Sequence, residues 1–396
     1  MKFAVIGGAG AMGRITVRDL VQTAPESAQI IIADYDYERA NELAKSFSRK
    51  NIKAVKVDVN NKSETVKSLK GIDIIINCVQ YQYNISLMEI ALDLDCHYID
   101  LGGLFHVTRK QMELKDKFKE KNKMAIIGMG AAPGITNVLA SYAADTMDSV
   151  KEIHIRLGSK DRTKYVPKPV LAISYSLKTI LEEFSFEPAI FTKGKFKFVK
   201  PMSGDEPHRF PLPIGIQKPM YTIHSEVATL PLSYKNKGIK EVSFKIAFSE
   251  EFTEKVRFLR DLGLGSHDNI NIQGVNVTPI DVINKIAMSQ PPVKQVGELK
   301  QYEIVRAIVK GSRKNKKVTM LVDCHTSGKK EWDLGTDINT GCPPSIVAQM
   351  ILNGQIKGKG VLFPESAIPH EIFFKELEKR NMYIKIQKKD GWSFDG

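Results

Sequence analysis

Four cysteines in 396 residues, Cys78, Cys96, Cys324 and Cys342, are too few and too scattered for a disulfide framework. None forms a C-x-x-C pair, so no metal site is expected. No apolar run approaches the roughly 20 residues that cross a bilayer, which argues against a membrane role. Low-complexity tracts and internal repeats are missing as well. The first apolar strand begins at Phe3, leaving no room for a cleavable leader, and no proline falls before Pro25. These absences point to a cytoplasmic globular protein with reduced thiols. The chain exceeds one ordinary core, and two domains are the natural expectation.

Charge is unbalanced, with 58 Lys and Arg against 45 Asp and Glu and a net charge of +13. A basic surface attracts phosphate backbones, so nucleic-acid binding has to be weighed. Much of the excess lies at turn tips and near the end, in "KGSRKNKK" from Lys310, "KGKFKFVK" from Lys193 and "KIQKKD" from Lys385. No nucleic-acid module accompanies it. Solvation, with some steering of an anionic cofactor, is the expected role, and specific nucleic-acid binding is not expected.

The stretch "MKFAVIGGAGAMGRITVRDL" carries G-x-G-x-x-G at Gly8, Gly10 and Gly13. Alone that spacing is weak. Here an apolar β-type run precedes it and a helical pattern through Met12, Ile15, Leu20 and Val21 follows. In that setting Gly8 permits a tight turn, Gly10 admits a pyrophosphate and Gly13 allows helix to pack on strand. The helix start, with Ala11 and Met12, offers free N–H groups to phosphate. A second apolar strand at residues 29–33 ends at Asp34, placed to bind both ribose hydroxyls and repel a 2′-phosphate, with Tyr35 next to it. NAD is therefore expected over NADP. Asp34 as a helix cap is the competing account.

The first domain is expected over residues 1–130 as a Rossmann-type doubly wound parallel sheet. Its third strand, residues 54–58, would place Asp58 and Val59 by the adenine. Ligands gather outside the carboxyl ends of such strands. Cys78, Val79, Gln80 and Tyr81 after strand four, and Asp100 and Gly102 after strand five, therefore face the nicotinamide half. Farther on, Pro133 and Gly134 precede a helix over residues 135–147 whose N-terminus can bind an anion, with Asn137 as a polar contact; a plain buried helix is the alternative. From residue 131 to 334 the pattern turns to alternating strands with intervening helices at 174–184, 251–262 and 279–288. That reads as an α+β domain with a mostly antiparallel sheet, for substrate and dimerisation. Residues 335–396 contain an apolar helix expected to pack back on the first domain.

The segments "GGAGAMG", "YQYN", "YIDLGG", "GAAPGITNVLA", "HSEVATLP", "TDINTGCPPSIVAQMI" and "GVLFPESAIP", in this order, resemble the saccharopine dehydrogenase family, most of all its NAD-dependent lysine 6-dehydrogenases. The resemblance implies an oxidoreductase acting on a carbon–nitrogen bond of an amino-acid-type or polyamine-type amine. Oxidative deamination of lysine is the first expectation. A saccharopine or carboxynorspermidine-type dehydrogenase acting on a secondary amine is the alternative, and a dinucleotide-sensing protein without turnover the second. Amine oxidation needs a base and a partner for the cationic nitrogen. Asp100 is expected to hold that nitrogen, or else to fix the Gly102 loop. His224 serves as base or carboxylate contact unless it is structural, and Tyr81 orders nicotinamide or substrate unless it only packs. A homodimer is expected from exposed antiparallel edges.

Overall fold

The structure, a computed structural model, describes residues 1–171, 176–291 and 293–391. Six short strands, β1 (Lys2–Ile6), β2 (Gln29–Asp34), β3 (Ile52–Lys56), β4 (Ile74–Asn77), β5 (His97–Asp100) and β6 (Met124–Ile126), form a parallel sheet in the order 6-5-4-1-2-3. Strand Gly360–Leu362 adds to β6, also in parallel. Phe3, Val5, Ile30, Ile32, Ile74 and Ile76 fill one face, and Ala4, Ile6, Ile31, Ala33 and Ile75 the other. Both faces are dry, which is why these strands read as continuous apolar runs.

The second sheet runs from Lys195–Phe198 through Ala189–Thr192, Glu241–Ile246, β7 (Ser149–Asp161), Gln301–Arg313 and Lys316–Thr326 to Met382–Asp390. One pair, β7 with Glu241–Ile246, is parallel, so the sheet is mixed rather than wholly antiparallel. Its inner face, with Ile153, Ile155, Val305, Ala307, Val309 and Val322, joins one core with the helix Ile135–Asp145 and the first domain. The outer face buries charge instead. There Arg306 makes a bidentate pair with Asp323, both bonds at 2.7 Å.

Several boundaries differ from expectation. Strand β3 ends at Lys56, which leaves Asp58 and Val59 in the following turn. The helix expected over 174–184 is Leu177–Ser185, and Ser174 lies outside the described residues. Helix Ile338–Leu352 and strand Gly360–Leu362 pack on the first domain, the helices Pro364–Ala367 and His370–Glu378 lie against helix Ile135–Asp145, and Met382–Asp390, seen in sequence only as a basic tail, pairs with Lys316–Thr326. Among the described residues no helix is long and apolar enough to cross a membrane.

Candidate active site

The glycine turn follows β1. Gly7, not Gly8, adopts the left-handed conformation, with φ of 70°. Gly8 is needed for space, because a Cβ there would lie 2.8 Å from Ile32 Cγ2 and 2.9 Å from the Val5 carbonyl. At Gly13 a Cβ would meet the Gly7 carbonyl at 2.0 Å, but at Gly10 it would meet only that oxygen, at 3.1 Å. Gly10 thus has a single close neighbour, the Gly7 carbonyl. Helix α1 (Ala11–Thr23) has no side-chain cap, and among the described residues the N–H groups of Ala11 and Met12 have no acceptor in the chain. A pyrophosphate fits this cradle. Asp34 accepts from Ala9 N at 2.9 Å and Asp36 N at 3.1 Å, which ties the end of β2 to the turn. Around it lie Tyr35, Asp36, Glu38 and Lys56.

Cys78 and Val79 border Gly7, and Gln80 is exposed just before Tyr81. Burial pushes the Cys78 thiol up to about 12, so it is no thiolate nucleophile. Asp58 is occupied by its own turn, accepting from Asn60 N at 2.9 Å.

Two expected contacts have other partners. Asp100 is 1% exposed, and its carboxylate accepts from Gly102 N at 2.9 Å, Gly128 N at 2.7 Å and Gln111 Nε2 at 2.6 Å. Burial raises its pKa against those donors. It clamps the loops after β5 and β6. Asn77, unnoticed in the sequence, completes the clamp by bonding Asn84, Tyr98 and Val79 N. The N-terminus of helix Ile135–Asp145 is likewise closed to anions. Gly134 N donates to Asn137 Oδ1, Ile135 N to Gly130 O and Thr136 N to Ala131 O. Asn137 turns inward to Glu365 at 2.8 Å, and Pro133 is buried against Gly102, where an added Cβ would lie 2.5 Å from its ring.

Carboxylates stand in two groups where the domains meet. Tyr81 sits beside Glu182 and Glu183 from helix Leu177–Ser185, and burial plus those charges raise its pKa. His224 stacks on Phe244 at 3.7 Å between ring centroids and bonds Glu226 through Nδ1. Burial pulls its pKa down, but Glu226 outweighs that and the net shift is upward. Glu226 in turn accepts from Thr136 Oγ1 at 2.8 Å. Glu303 accepts from Asn339 Nδ2 at 2.6 Å, and burial, with Asp337 nearby, lifts its carboxyl to about 7. Asp337 itself is raised to about 6 by burial. Thr340, on the same helix start, reaches Gly130 of the loop after β6.

Glu303 had a legible signal. It shares strand parity with Val305, Ala307 and Val309, whose side chains enter the interdomain core. Glu182 and Glu183 had none, since adjacent residues on an amphipathic helix do not share a face.

Residues 3–126 match the description "Saccharopine dehydrogenase NADP binding domain" and residues 130–382 "Saccharopine dehydrogenase C-terminal domain". The chain belongs to the saccharopine dehydrogenase family. As a member of it, the protein is an NAD(P)-dependent dehydrogenase acting on amine donors. This family member is 23% identical over 387 residues, 95% of each chain, to the carboxyaminopropylagmatine dehydrogenase of Synechocystis. It is 22% identical over 391 residues, 91% of each chain, to the carboxynorspermidine synthase of Vibrio cholerae. Its fold is that of the L-Glu-forming saccharopine dehydrogenase of Saccharomyces cerevisiae, with a TM-score of 0.74, 17% identity and coverage of 98% of this chain and 99% of that one.

Proposed function

We propose that this dehydrogenase makes or cleaves the secondary amine of a carboxylated polyamine. The observation that carries the reading is a pair of carboxylate groups where the two domains meet, Glu182, Glu183 and Glu226 around Tyr81 and His224 and, apart from them, Glu303 with Asp337, in a protein whose net charge is +13. A cleft for lysine needs one carboxylate for the side-chain ammonium and a cation for the substrate carboxylate. Five carboxylates suit a substrate with several cationic nitrogens. The names of the two relatives support the same choice. Oxidative deamination of lysine, the first expectation from sequence, fits less well.

The nicotinamide cofactor, when bound, accepts or supplies the hydride. This chain's residues hold and move the protons. Asn339 fixes Glu303 Oε1 and leaves Oε2 for the amine nitrogen, and a carboxyl near 7 exchanges protons at neutral pH. A carboxylate there also stabilises the cationic carbon–nitrogen double bond. His224, held through Nδ1, offers Nε2 as a second proton carrier. Asp100 acts as a positioning residue under the loops, and Tyr81 borders the substrate.

NAD is proposed over NADP, supported by Asp34 with Asp36 and Glu38 next to it; Lys56 lines the same pocket and the family description names NADP. A homodimer is proposed on the outermost described strands of the second sheet, Lys195–Phe198 and Met382–Asp390. Both edge strands carry lysines, so association should strengthen with salt. The deciding experiment crosses NADH and NADPH with diamines plus an aldehyde-bearing amino acid in the reductive direction, and lysine with NAD in the oxidative direction. Reductive coupling with NADH is expected. Turnover of lysine alone would overturn the reading.

A further inference from the structure

The helix Leu177–Ser185 carries two adjacent glutamates that its core-facing pattern does not require. Leu177, Ile180, Leu181 and Phe184 already pack it against Phe252, Val256 and Ile280. Glu182 is nonetheless 1% exposed and Glu183 is buried beside it. Glu182 Oε1 pairs with His267 Nε2 at 2.9 Å. Among the described residues its Oε2 is buried with no hydrogen-bond partner. A buried acceptor without a donor is unfavourable, and an anionic one more so, because nothing replaces its lost water. Burial accordingly raises the pKa of this carboxyl, against Tyr81, His267 and Lys178. Lys178 does not bond it. That ammonium is turned to Asp281 at 2.7 Å.

Tyr81, across from Glu182, belongs to the loop after β4, and its Cβ lies 3.3 Å from where a Cβ on Gly103 would be. The orphan oxygen therefore lies at the nicotinamide end of the cleft, where the first domain meets the second. Glu183 also acts on His224, so the glutamates, Tyr81 and the His224–Glu226 pair form one neighbourhood. Glu303 and Asp337 stand in another, against the start of helix Ile338–Leu352. An alkylammonium offers three donors on a compact charge, which suits an orphan carboxylate oxygen, a second carboxylate and a phenolic oxygen.

We propose that Glu182 and Glu183, with Tyr81, recognise the distal ammonium group of an extended diamine or polyamine while its reacting nitrogen sits at Glu303. This rests on the amine reading above and adds the residues that select chain length and terminal charge. Substrates lacking the distal ammonium forfeit the contact.

The test compares binding of 1,3-diaminopropane and propylamine to the full-length protein by calorimetry, with NADH present. The diamine should bind at least about 10-fold tighter, as a charge-assisted contact allows. Glu182→Gln should remove most of that preference without changing the affinity for NADH, and Glu182→Asp, which keeps the charge, should retain it. If Glu182→Gln does not fold, Glu183→Gln is read in its place with the same expectation. Equal binding of the two amines by the unmodified protein, or an undiminished preference in the Gln variant, overturns the proposal. Because the readout is binding, its failure is distinct from absence of turnover in the substrate panel.

Discussion

Gly10 and Gly13 lie three residues apart in one turn and tolerate opposite things. A methyl at Gly13 collides with backbone at 2.0 Å, so Gly13→Ala should unfold or loosen the first domain, by about 3 kcal/mol or more. Gly10→Ala meets only one oxygen at 3.1 Å and should keep the fold while weakening dinucleotide binding several-fold. Thermal melts and NADH fluorescence separate the two outcomes. Asp100→Asn should cost little, because among the described residues Gln111 Oε1 is buried without a partner and can accept from the new amide once the Gln111 amide flips. Asp100→Ala strands the N–H groups of Gly102 and Gly128 and should cost about 2–4 kcal/mol.

Glu303 gives a pH signature. Its folded pKa of about 7 lies above the ordinary carboxylate value, so the folded state holds the proton more tightly than the unfolded chain. That contribution to stability is full below about pH 4 and is lost as pH rises through 7. Glu303→Gln should therefore be near neutral at pH 4 and stabilising at pH 8, on the order of 1–3 kcal/mol by denaturant titration. In the oxidative direction kcat/KM should rise with pH through a limb near 7 in the unmodified enzyme, and that limb should vanish in the Gln variant.

At the scale of elements, the C-terminal helices hold α1 through a buried charge cluster. Arg380 gives Asp19 two bonds, at 2.7 and 2.9 Å, and Ser345 adds a third at 2.6 Å. Thr16 Oγ1 also donates to Gly341 O at 2.7 Å, where helix Ile338–Leu352 crosses close to α1. Asp19→Ala leaves the Arg380 guanidinium buried without its main partner and should destabilise by about 3–5 kcal/mol. Replacing both, as Asp19→Leu with Arg380→Met, should recover much of that loss, since an apolar pair of similar volume need not be weaker. Urea unfolding of the single and double variants measures both. Because α1 carries the phosphate cradle, the single variant should also weaken NADH binding.

For the whole molecule, one core runs through both domains, from Val5 and Ile30 to Val305 and Val322, and the chain crosses between them more than once. Residues 1–130 alone would lack strand Gly360–Leu362 and helix Ile338–Leu352, exposing one edge of the sheet and the apolar side of α1. Such a fragment should show no cooperative melt and no NADH binding, whereas the full chain should melt in one transition. Two separate transitions in calorimetry would contradict a shared core.

The glycine turn, the acid ending β2 and the alternation of strand and helix were legible because each is local: a few neighbouring residues carry the pattern, and backbone geometry fixes its meaning. The order of strong segments was enough to show the family. Tertiary structure decided what neighbours in sequence cannot report. Asp100 and Asn137 look like ligand contacts at strand and helix ends, yet donors and acceptors from distant segments claim them. Glu182, Glu303 and Asp337 come from three separate segments and acquire their raised pKa values only when folding removes water around them. Period and composition determine which elements form, whereas desolvation and long-range partners determine which polar groups remain available for chemistry.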